Sequence, residues 1–527
     1  MMEVVIVGAG PAAAGAALAL VDRPDVTVRV LDVGGRLEDD LEQARRRLAA
    51  GPPSTWDPRD RERVAAVAVP RPGLRLPEKR TLGSDFPFRD FGQRTGMSDD
   101  VHVVSGAYGG FSNAWGAQMT PYSAASFSEW PFGRDTLEPH YRAVLGAIPY
   151  AGESDDLAEY FPLLGHPDPL PPLAGNARRV LERYQSRRVA VRRSGVIAGR
   201  ARLALRASAC VSCGLCMTGC PYGLVYSASH TFDELRARGA IDYTPGQLAL
   251  ELGESDGAPF VVTRDLATGE RRVVEADAVL VACGAVGSTA LVARSLGQWG
   301  RPIEFAESAQ FAVPFASLRA THEAREEHSF TLNQFNLVLP FDESGHDLVQ
   351  IHGYPYSRAL DTALPAPLRH GAFAPVGRAV LRRLTVGLGY LPSWWSPGFS
   401  VTVTPGTRED EPPRVAVVAR PGREDVARAH LREVSGRLVR AARHLGVTPI
   451  TPMVSLSPVT KSYHIGGSFP HRADPRPGLD SDPLGRVAPW RHVHLIDAAV
   501  FPTVSATTFT LTIMANAHRI ATALAPA

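Results

Sequence analysis

The order of apolar and polar positions divides this chain into three kinds of segment. Residues 4–7, Val-Val-Ile-Val, are a short unbroken apolar run, the mark of a strand covered on both faces. A turn of small residues follows, Gly8-Ala9-Gly10-Pro11-Ala12-Ala13, and the Ala- and Leu-rich stretch 13–20 predicts a helix. Residues 26–31 set apolar side chains against Thr27 and Arg29, a second strand that ends at Asp32. Another apolar run, 278–282, leads through the small-residue turn of Cys283, Gly284, Gly287 and Ser288 into a helix at 289–296. Before it, 247–252, 260–264 and 272–275 read as strands. The character changes over 306–420. There 330–339, 348–354, 385–391, 399–404 and 414–419 are strand-like and often alternate, which predicts a largely antiparallel sheet. Residues 425–445 carry Val426, Leu431, Val434, Leu438 and Leu445 on one side and arginines on the other, an amphipathic helix closed by Gly446.

The first thirty-two residues have the order of a dinucleotide-binding unit: strand, glycine turn, helix, strand, acid. Gly8 permits the tight turn, and Gly10 lets a pyrophosphate approach the backbone. Ala13, with Gly15 beyond it, lets the helix pack closely on the strand. Free N–H groups at the helix start suit phosphates, and Asp32 is placed to accept a hydrogen bond from a ribose hydroxyl. The alternative is an Ala/Gly-rich packed helix with no ligand. This stretch does not distinguish NAD from FAD.

A chain of 527 residues predicts two or three domains or one elaborated fold. Net charge is +2, and Lys79 and Lys461 are the only lysines, so nearly all positive charge is arginine. Basic residues are spread out, apart from short runs at 45–47 and 378–383, which excludes a nucleic-acid footprint as the expected function. Residues 4–21 carry no charge. No basic segment precedes them and their glycines fall on the nucleotide pattern, so neither a signal peptide nor a membrane span is expected, and the expectation is a cytoplasmic enzyme.

Four of the five cysteines fall in Cys210-x₂-Cys213-x₂-Cys216-x₃-Cys220-Pro221, the spacing of bacterial ferredoxin ligands. Zinc sites with four cysteines usually separate two C-x₂-C pairs by a longer segment, so zinc fits less well, and a cluster-free structural loop is a further alternative. With a single run, Cys220 must bend back to the same cluster (4Fe-4S), or the cluster has three cysteine ligands (3Fe-4S). Cys283 reads as a small buried residue. Residues 105–116 interleave four glycines with Tyr108, Phe111 and Trp115. That suits backbone passing a flat ligand, or an ordinary Gly-rich loop. Residues 35–100 look like an insertion without chemistry, helical over 38–50 and mostly irregular over 51–79. Gln334, Gln350, His352 and Tyr354 face either a polar substrate or solvent, and Trp394-Trp395 is either a lid or a packed corner.

Taken together, the chain resembles the glucose–methanol–choline (GMC) family of flavin-dependent alcohol oxidoreductases. The resemblance rests on the N-terminal fingerprint, Gly109-Gly110-x-Ser112 leading to Trp130-Pro131, and the turn from Ala282 to Ser288. It rests also on His464-x-x-Gly467-Ser468 and on Val493-x-x-x-Asp497-x-x-x-x-Pro502. It implies an α/β fold: a Rossmann-type FAD-binding domain, with a second α+β substrate domain on a largely antiparallel sheet. The expected FAD domain is 1–305 and 455–527, with the cysteine loop inserted at 200–225; the substrate domain is 306–454.

The resemblance implies FAD held by Gly8, Gly10, Ala13, Gly15 and Asp32 at its ADP half. Gly109, Gly110, Ser112 and Asn113 would lie by the isoalloxazine, and Asp497 and Ala498 near the flavin and its phosphates. It makes His464 the catalytic base. An unperturbed imidazole pKa near 6.5 suits removal of a hydroxyl proton. Where the family commonly has a second His or Asn, this chain has about Thr508, which can orient a substrate but not share base chemistry.

The cysteine run is similar to that of GMC dehydrogenases with an iron–sulfur cluster held by Cys210, Cys213, Cys216 and Cys220. The expected function is therefore an FAD-dependent dehydrogenase of a sugar, aminosugar or polyol, passing electrons to an external protein or quinone-like acceptor. The alternatives are an oxygen-using oxidase with a structural cysteine loop, an aminoglycoside or other natural-product dehydrogenase, and a non-catalytic electron-transfer subunit.

Overall fold

The apolar run at the start of the chain becomes the middle of a parallel sheet. A computed structural model describes residues 1–67, 79–93, 103–317, 319, 330–355, 357, 371–408 and 410–524. In it β1 (Met2–Val7), α1 (Pro11–Leu20) and β2 (Val26–Leu31) form the predicted βαβ unit. The 35–100 region contributes α2 (Asp39–Ala49) and α3 (Pro58–Val64), the latter inside a stretch expected to be irregular. Then come α4 (Arg134–Ala147), α5 (Gly175–Arg193), β3 (Ile197–Arg200), α6 (Ala228–Ala237), β4 (Asp242–Thr244), β5 (Gln247–Ser255), β6 (Ala258–Asp265), β7 (Arg271–Glu275), β8 (Ala278–Val281) and α7 (Ala285–Ser295).

The second half holds β9 (Pro302–Glu307), β10 (Gln310–Ser317), β11 (Phe335–Pro340), β12 (Leu348–Tyr354), α8 (Ala374–Leu381), β13 (Leu384–Tyr390), β14 (Phe399–Thr404), β15 (Arg414–Ala419) and α9 (Glu424–Leu445). It closes with β16 (Val447–Pro449), β17 (Ser455–Leu456), β18 (Ile465–Gly466), β19 (Val493–Leu495) and α10 (Thr510–Leu524).

The first sheet has the order β19-β8-β1-β2-β4, with every pair parallel. Flanked on both edges, β1 has Val4, Val5 and Ile6 without exposed surface, which is why it reads as a continuous apolar run. Gly15 was expected to bring α1 close to the strand. Instead it brings α1 close to α10: a Cβ there would lie 2.3 Å from the Met514 carbonyl oxygen.

The second sheet is antiparallel, in the order β16-β10-β13-β12-β11-β3, with β17 also paired to β10. Its core is closed by α5 and α9, through Ala177, Val180 and Tyr184 from one helix and Leu431, Val434 and Leu438 from the other. Gly446 ends α9 at φ +73°. The sheet extends outside 306–454, because β3 pairs with β11 and α5 covers its face. Conversely β14 and β15 join β9 and β18 in a smaller sheet. There Phe399 stacks on Phe305 at 5.1 Å, within the core that surrounds the parallel sheet. The paired tryptophans are a packed corner. Trp395 stacks on His430 at 3.8 Å, and Trp394 stacks on His346 while its Nε1–H donates to Asp347 at 2.7 Å. Among the described residues no helix is long and apolar enough to cross a membrane.

Candidate active site

A cavity of about 950 Å³ runs between the parallel sheet and the antiparallel one. The glycine turn supplies part of its wall. Gly8 has φ +103°, and a Cβ on it would lie 2.6 Å from the Ala282 carbonyl oxygen, so the turn closes tightly over β8. A Cβ on Gly10 would meet nothing within 4 Å; this residue faces the cavity. Gly110 comes at the turn from across the cavity, where its own Cβ would be 3.3 Å from Gly10 Cα. The result is a narrow backbone-lined channel ending at the N-terminus of α1, with its unsatisfied N–H groups.

Asp32 lies in this wall, almost fully buried, and accepts a hydrogen bond from the Tyr243 hydroxyl at 3.0 Å. Burial pushes its carboxyl up to about 7, against the lowering effect of Tyr243 and of the Gly34, Val33 and Ala9 amides. Asp497 also lines the cavity, but its oxygens are used locally. One accepts from the Ser288 hydroxyl at 2.5 Å and the other from the Ala499 amide at 2.9 Å, joining α7 to the turn before Pro502. Burial raises it to about 6. Ala498 lines the cavity beside it and accepts from the Gly467 amide at 2.9 Å.

The 105–116 segment is held by its own polar atoms. Asn113 donates from Nδ2 to the carbonyls of Tyr108 and Gly110 at 2.9 and 2.8 Å. Ser112 donates to the Gly109 carbonyl at 2.5 Å and accepts from the Ala228 amide at 2.9 Å. Gly110 and Ser112 reach the cavity. Gly109 (φ +93°) and Asn113 shape the loop from behind, as Ala13 and Gly15 do within α1.

His464 lines the cavity from the loop before β18, its ring stacked on Tyr390 at 4.3 Å and tilted against Phe509 at 4.9 Å. Its Nδ1 is buried without a partner, which leaves Nε2 as the nitrogen open to the cavity. Burial pushes the imidazole down to about 3, so it is neutral at ordinary pH and a weaker base than an exposed histidine. Thr508 is not brought to this wall. Its hydroxyl is 3.0 Å from that of Thr120, in a buried chain where Thr507 also donates to Gln350 at 2.5 Å. Phe509 takes the place beside His464. Of the four polar residues expected on the sheet face, Tyr354 alone lines the cavity. Gln334 accepts from the Ala174 amide, Gln350 from Thr507, and His352 is buried behind Tyr390.

The cysteine loop borders the same cavity through Met217 and Thr218. The 35–100 region packs on it. Leu82 donates to the Thr218 carbonyl at 2.5 Å, Arg45 to that of Pro221 at 2.7 Å, and the Tyr222 hydroxyl to Gly51 at 2.8 Å. All the cysteines are free thiols. Burial pushes Cys213 up to about 11 and Cys216 up to about 12, and neighbouring thiols of the run add to both shifts. Among the described residues no three His, Cys, Asp or Glu side chains converge closely enough to hold a single metal ion. Cys283 was expected to be buried; it is partly exposed on the cavity wall, its Sγ 3.6 Å from the Val7 carbonyl.

Two contributors escaped the sequence reading. Tyr390 stacks on His464 from a distant strand, which no local pattern signals. Glu307 had a signal: it continues the buried face Ile303, Phe305, Glu307 of an alternating strand, an acid where an apolar residue is the rule.

No family model matches the chain, and no curated protein matches it in sequence. Solved structures do match its fold. It is similar to pyridoxine 4-oxidase from Mesorbium loti, with 14% identity, a TM-score of 0.59, and coverage of 99% of this chain and 98% of that one. It is also similar to a formate oxidase from Aspergillus oryzae RIB40 carrying R554A in a study of FAD modification, at 15% identity and a TM-score of 0.60, over 99% and 97% of the two chains. The fold is thus the expected one over its whole length, a Rossmann-like domain with a curled antiparallel sheet.

Proposed function

We propose that this chain is a GMC-type, FAD-dependent oxidoreductase that oxidises a hydroxyl group of a small molecule, with His464 accepting the hydroxyl proton. The observation that carries the reading is a neutral imidazole with one nitrogen open to a cavity whose opposite wall is the glycine turn and Asp32. The cradle fits FAD: Gly10 faces open space, Gly110 narrows the channel, and Asp32 stands where β2 ends. Gly8, Gly10 and the start of α1 would hold the pyrophosphate, Asp32 the ribose, and Gly110, Ser112 and Ala498 the ring system. FAD, when bound, supplies the hydride acceptor. Nε2 of His464 takes the proton while Tyr390 fixes the plane of the ring. Phe88, Phe111 and Tyr463 form an aromatic group on the cavity wall.

Cys210, Cys213, Cys216 and Cys220 would hold an iron–sulfur cluster, which supplies one-electron transfer when bound. Four thiols with no carboxylate or imidazole among them suit that donor set, and their loop borders the cavity. On this reading the protein is a dehydrogenase of a sugar, aminosugar or polyol with an external acceptor. Anaerobically purified protein is expected to contain stoichiometric FAD together with iron and acid-labile sulfide. Cys216→Ser is expected to lose the iron and keep the flavin, measured by elemental analysis and absorption. Protein free of iron would end the cluster assignment.

A second reading, an oxygen-using oxidase with a structural cysteine loop, is favoured by one observation: the two similar structures described above are named oxidases. Hydrogen peroxide formed in proportion to substrate by iron-free protein would select it.

Asp32 provides a test of the nucleotide site alone. An acid raised to about 7 is protonated below that pH and then offers a ribose one acceptor fewer. FAD binding to stripped protein is therefore expected to strengthen as pH rises through about 6 to 8 and level off above, the carboxylate being the binding form. Asp32→Asn is expected to flatten this profile in a calorimetric titration.

A further inference from the structure

The loop that carries His464 has an unusual backbone. Thr460 and Tyr463 lie at φ +71° and +57°, the left-handed region that residues with a side chain rarely adopt, and they stand three positions apart. Both flank Ser462, and the segment 461–465 lines the cavity throughout. Something outside the loop must hold it there.

That something is a single carboxyl group. Glu307, at the end of β9, is 1% exposed. Its Oε1 accepts from the Thr460 amide at 2.9 Å and from the Ser462 hydroxyl at 2.8 Å. The Ser462 oxygen in turn accepts from the His464 amide at 3.1 Å. Next to Glu307, the Ser308 amide donates to the His464 carbonyl at 2.9 Å, and Ile465 pairs with Glu307 across β18 and β9. The His464 N–H is therefore held through Ser462, which Glu307 holds in turn, and its C=O by Ser308, the residue that follows β9.

The other carboxyl oxygen, Oε2, is buried without a partner. A buried acid with an oxygen to spare is costly, so packing does not account for it. A carboxyl oxygen able to take two donors at one atom does. Burial pushes the carboxyl up to about 7, against the Ser462 and Thr460 hydrogen bonds that pull it down.

We propose that Glu307 is a positioning residue that clamps the 460–464 loop in its left-handed conformation and so presents His464 to the cavity. This rests on the reading of His464 as the proton acceptor.

The test uses full-length, FAD-loaded protein. Glu307→Ala is expected to lower kcat about 10²-fold with KM changed little, as a displacement of about 1 Å at the reacting group would. Glu307→Gln, whose Oε1 accepts the same hydrogen bonds, is expected to stay within about fivefold of the unaltered protein. Adding Thr460→Gly to Glu307→Ala is expected to restore part of the loss, since glycine holds a positive φ unaided. A second readout needs no turnover. The two lysines of the chain are Lys79 and Lys461, so a lysine-specific endoproteinase reports on this loop directly. Cleavage after Lys461 is expected to accelerate in Glu307→Ala and not in Glu307→Gln.

Should Glu307→Ala fail to fold, Ser462→Ala carries the test, with a smaller loss in the same direction. Unchanged kcat and unchanged cleavage in Glu307→Ala, or in Ser462→Ala where that variant stands in for it, would overturn the proposal. Equal damage in the Gln and Ala variants would overturn it too. If His464→Ala keeps full turnover, the base assignment falls, while cleavage after Lys461 still judges the clamp.

Discussion

Replacing His464 with alanine is expected to lower the rate at which an alcohol substrate reduces the bound flavin by about 10²- to 10⁴-fold, the usual worth of a positioned general base. Flavin content should be unchanged, because the imidazole touches Tyr390 and Phe509 and not the glycine turn. Anaerobic stopped-flow bleaching of the flavin, with the alcohol that reduces the unaltered protein, measures the effect. The pH dependence adds a second check with a definite sign. An exposed histidine loses its function as a base below about pH 6.5. Burial pushes this one down to about 3, so the neutral form persists well below that pH. The acid limb of kcat/KM is therefore expected to lie below the ordinary histidine range. It should vanish with His464→Ala. A variant that bleaches flavin at the original rate would remove His464 from the chemistry.

The same histidine shows how far a sequence can be read. Its motif, His464-x-x-Gly467-Ser468, is local, but the reason for its glycines is not. A Cβ on Gly466 would come 2.2 Å from the Ala498 carbonyl, and one on Gly467 would come 2.8 Å from that of Phe501, so small residues are forced where this loop crosses the Asp497 turn. What surrounds the ring is not local. Tyr390 arrives from a strand paired with β12 and β10, and Glu307 from a strand paired with β14.

Thr508 makes the point in reverse. Its place in the chain suggested a hydroxyl that orients the substrate. Its hydroxyl is committed to Thr120, 388 positions away, and the ring beside His464 is its neighbour Phe509. A shift of one residue along an irregular segment decides which side chain meets the cavity, and no periodicity reports that shift. The second sheet was legible as antiparallel from its alternating strands. Its edge strand β3 was not: Ile197-Ala-Gly-Arg200 is four residues long, and Gly199 and Ala198 give no alternation to see. The 35–100 region, read as having no chemistry, turns out to pack on the cysteine loop through contacts as distant as Arg45 to Pro221.

Two glycines near the start of the chain should separate cleanly on mutation, Gly10 acting on the ligand and Gly15 on helix packing. Gly10 sits at φ −85°, a conformation open to any residue, and an added Cβ would meet nothing within 4 Å. Gly10→Ala is therefore expected to leave the melting temperature of flavin-free protein unchanged or slightly higher, since alanine restricts the unfolded chain. The same methyl group projects into the channel that Gly110 narrows. FAD affinity is expected to fall at least about tenfold, or 1.4 kcal/mol.

Gly15→Ala should do the opposite. Its Cβ would lie 2.3 Å from the oxygen and 2.8 Å from the Cα of Met514, both backbone atoms of α10 that no rotamer change can move. The two helices must separate, and overpacking of this kind costs roughly 1–3 kcal/mol or more. The expected result is a clear loss of thermal stability with or without flavin. FAD affinity per folded molecule should remain near that of the unaltered protein, because Gly15 does not line the cavity. Thermal unfolding and FAD titration on the two variants give four numbers, and the pattern must be crossed. Stability should fail in one variant and binding in the other. If Gly10→Ala binds FAD as tightly as before, the pyrophosphate does not pass over this turn, and the dinucleotide site must be sought elsewhere along the cavity.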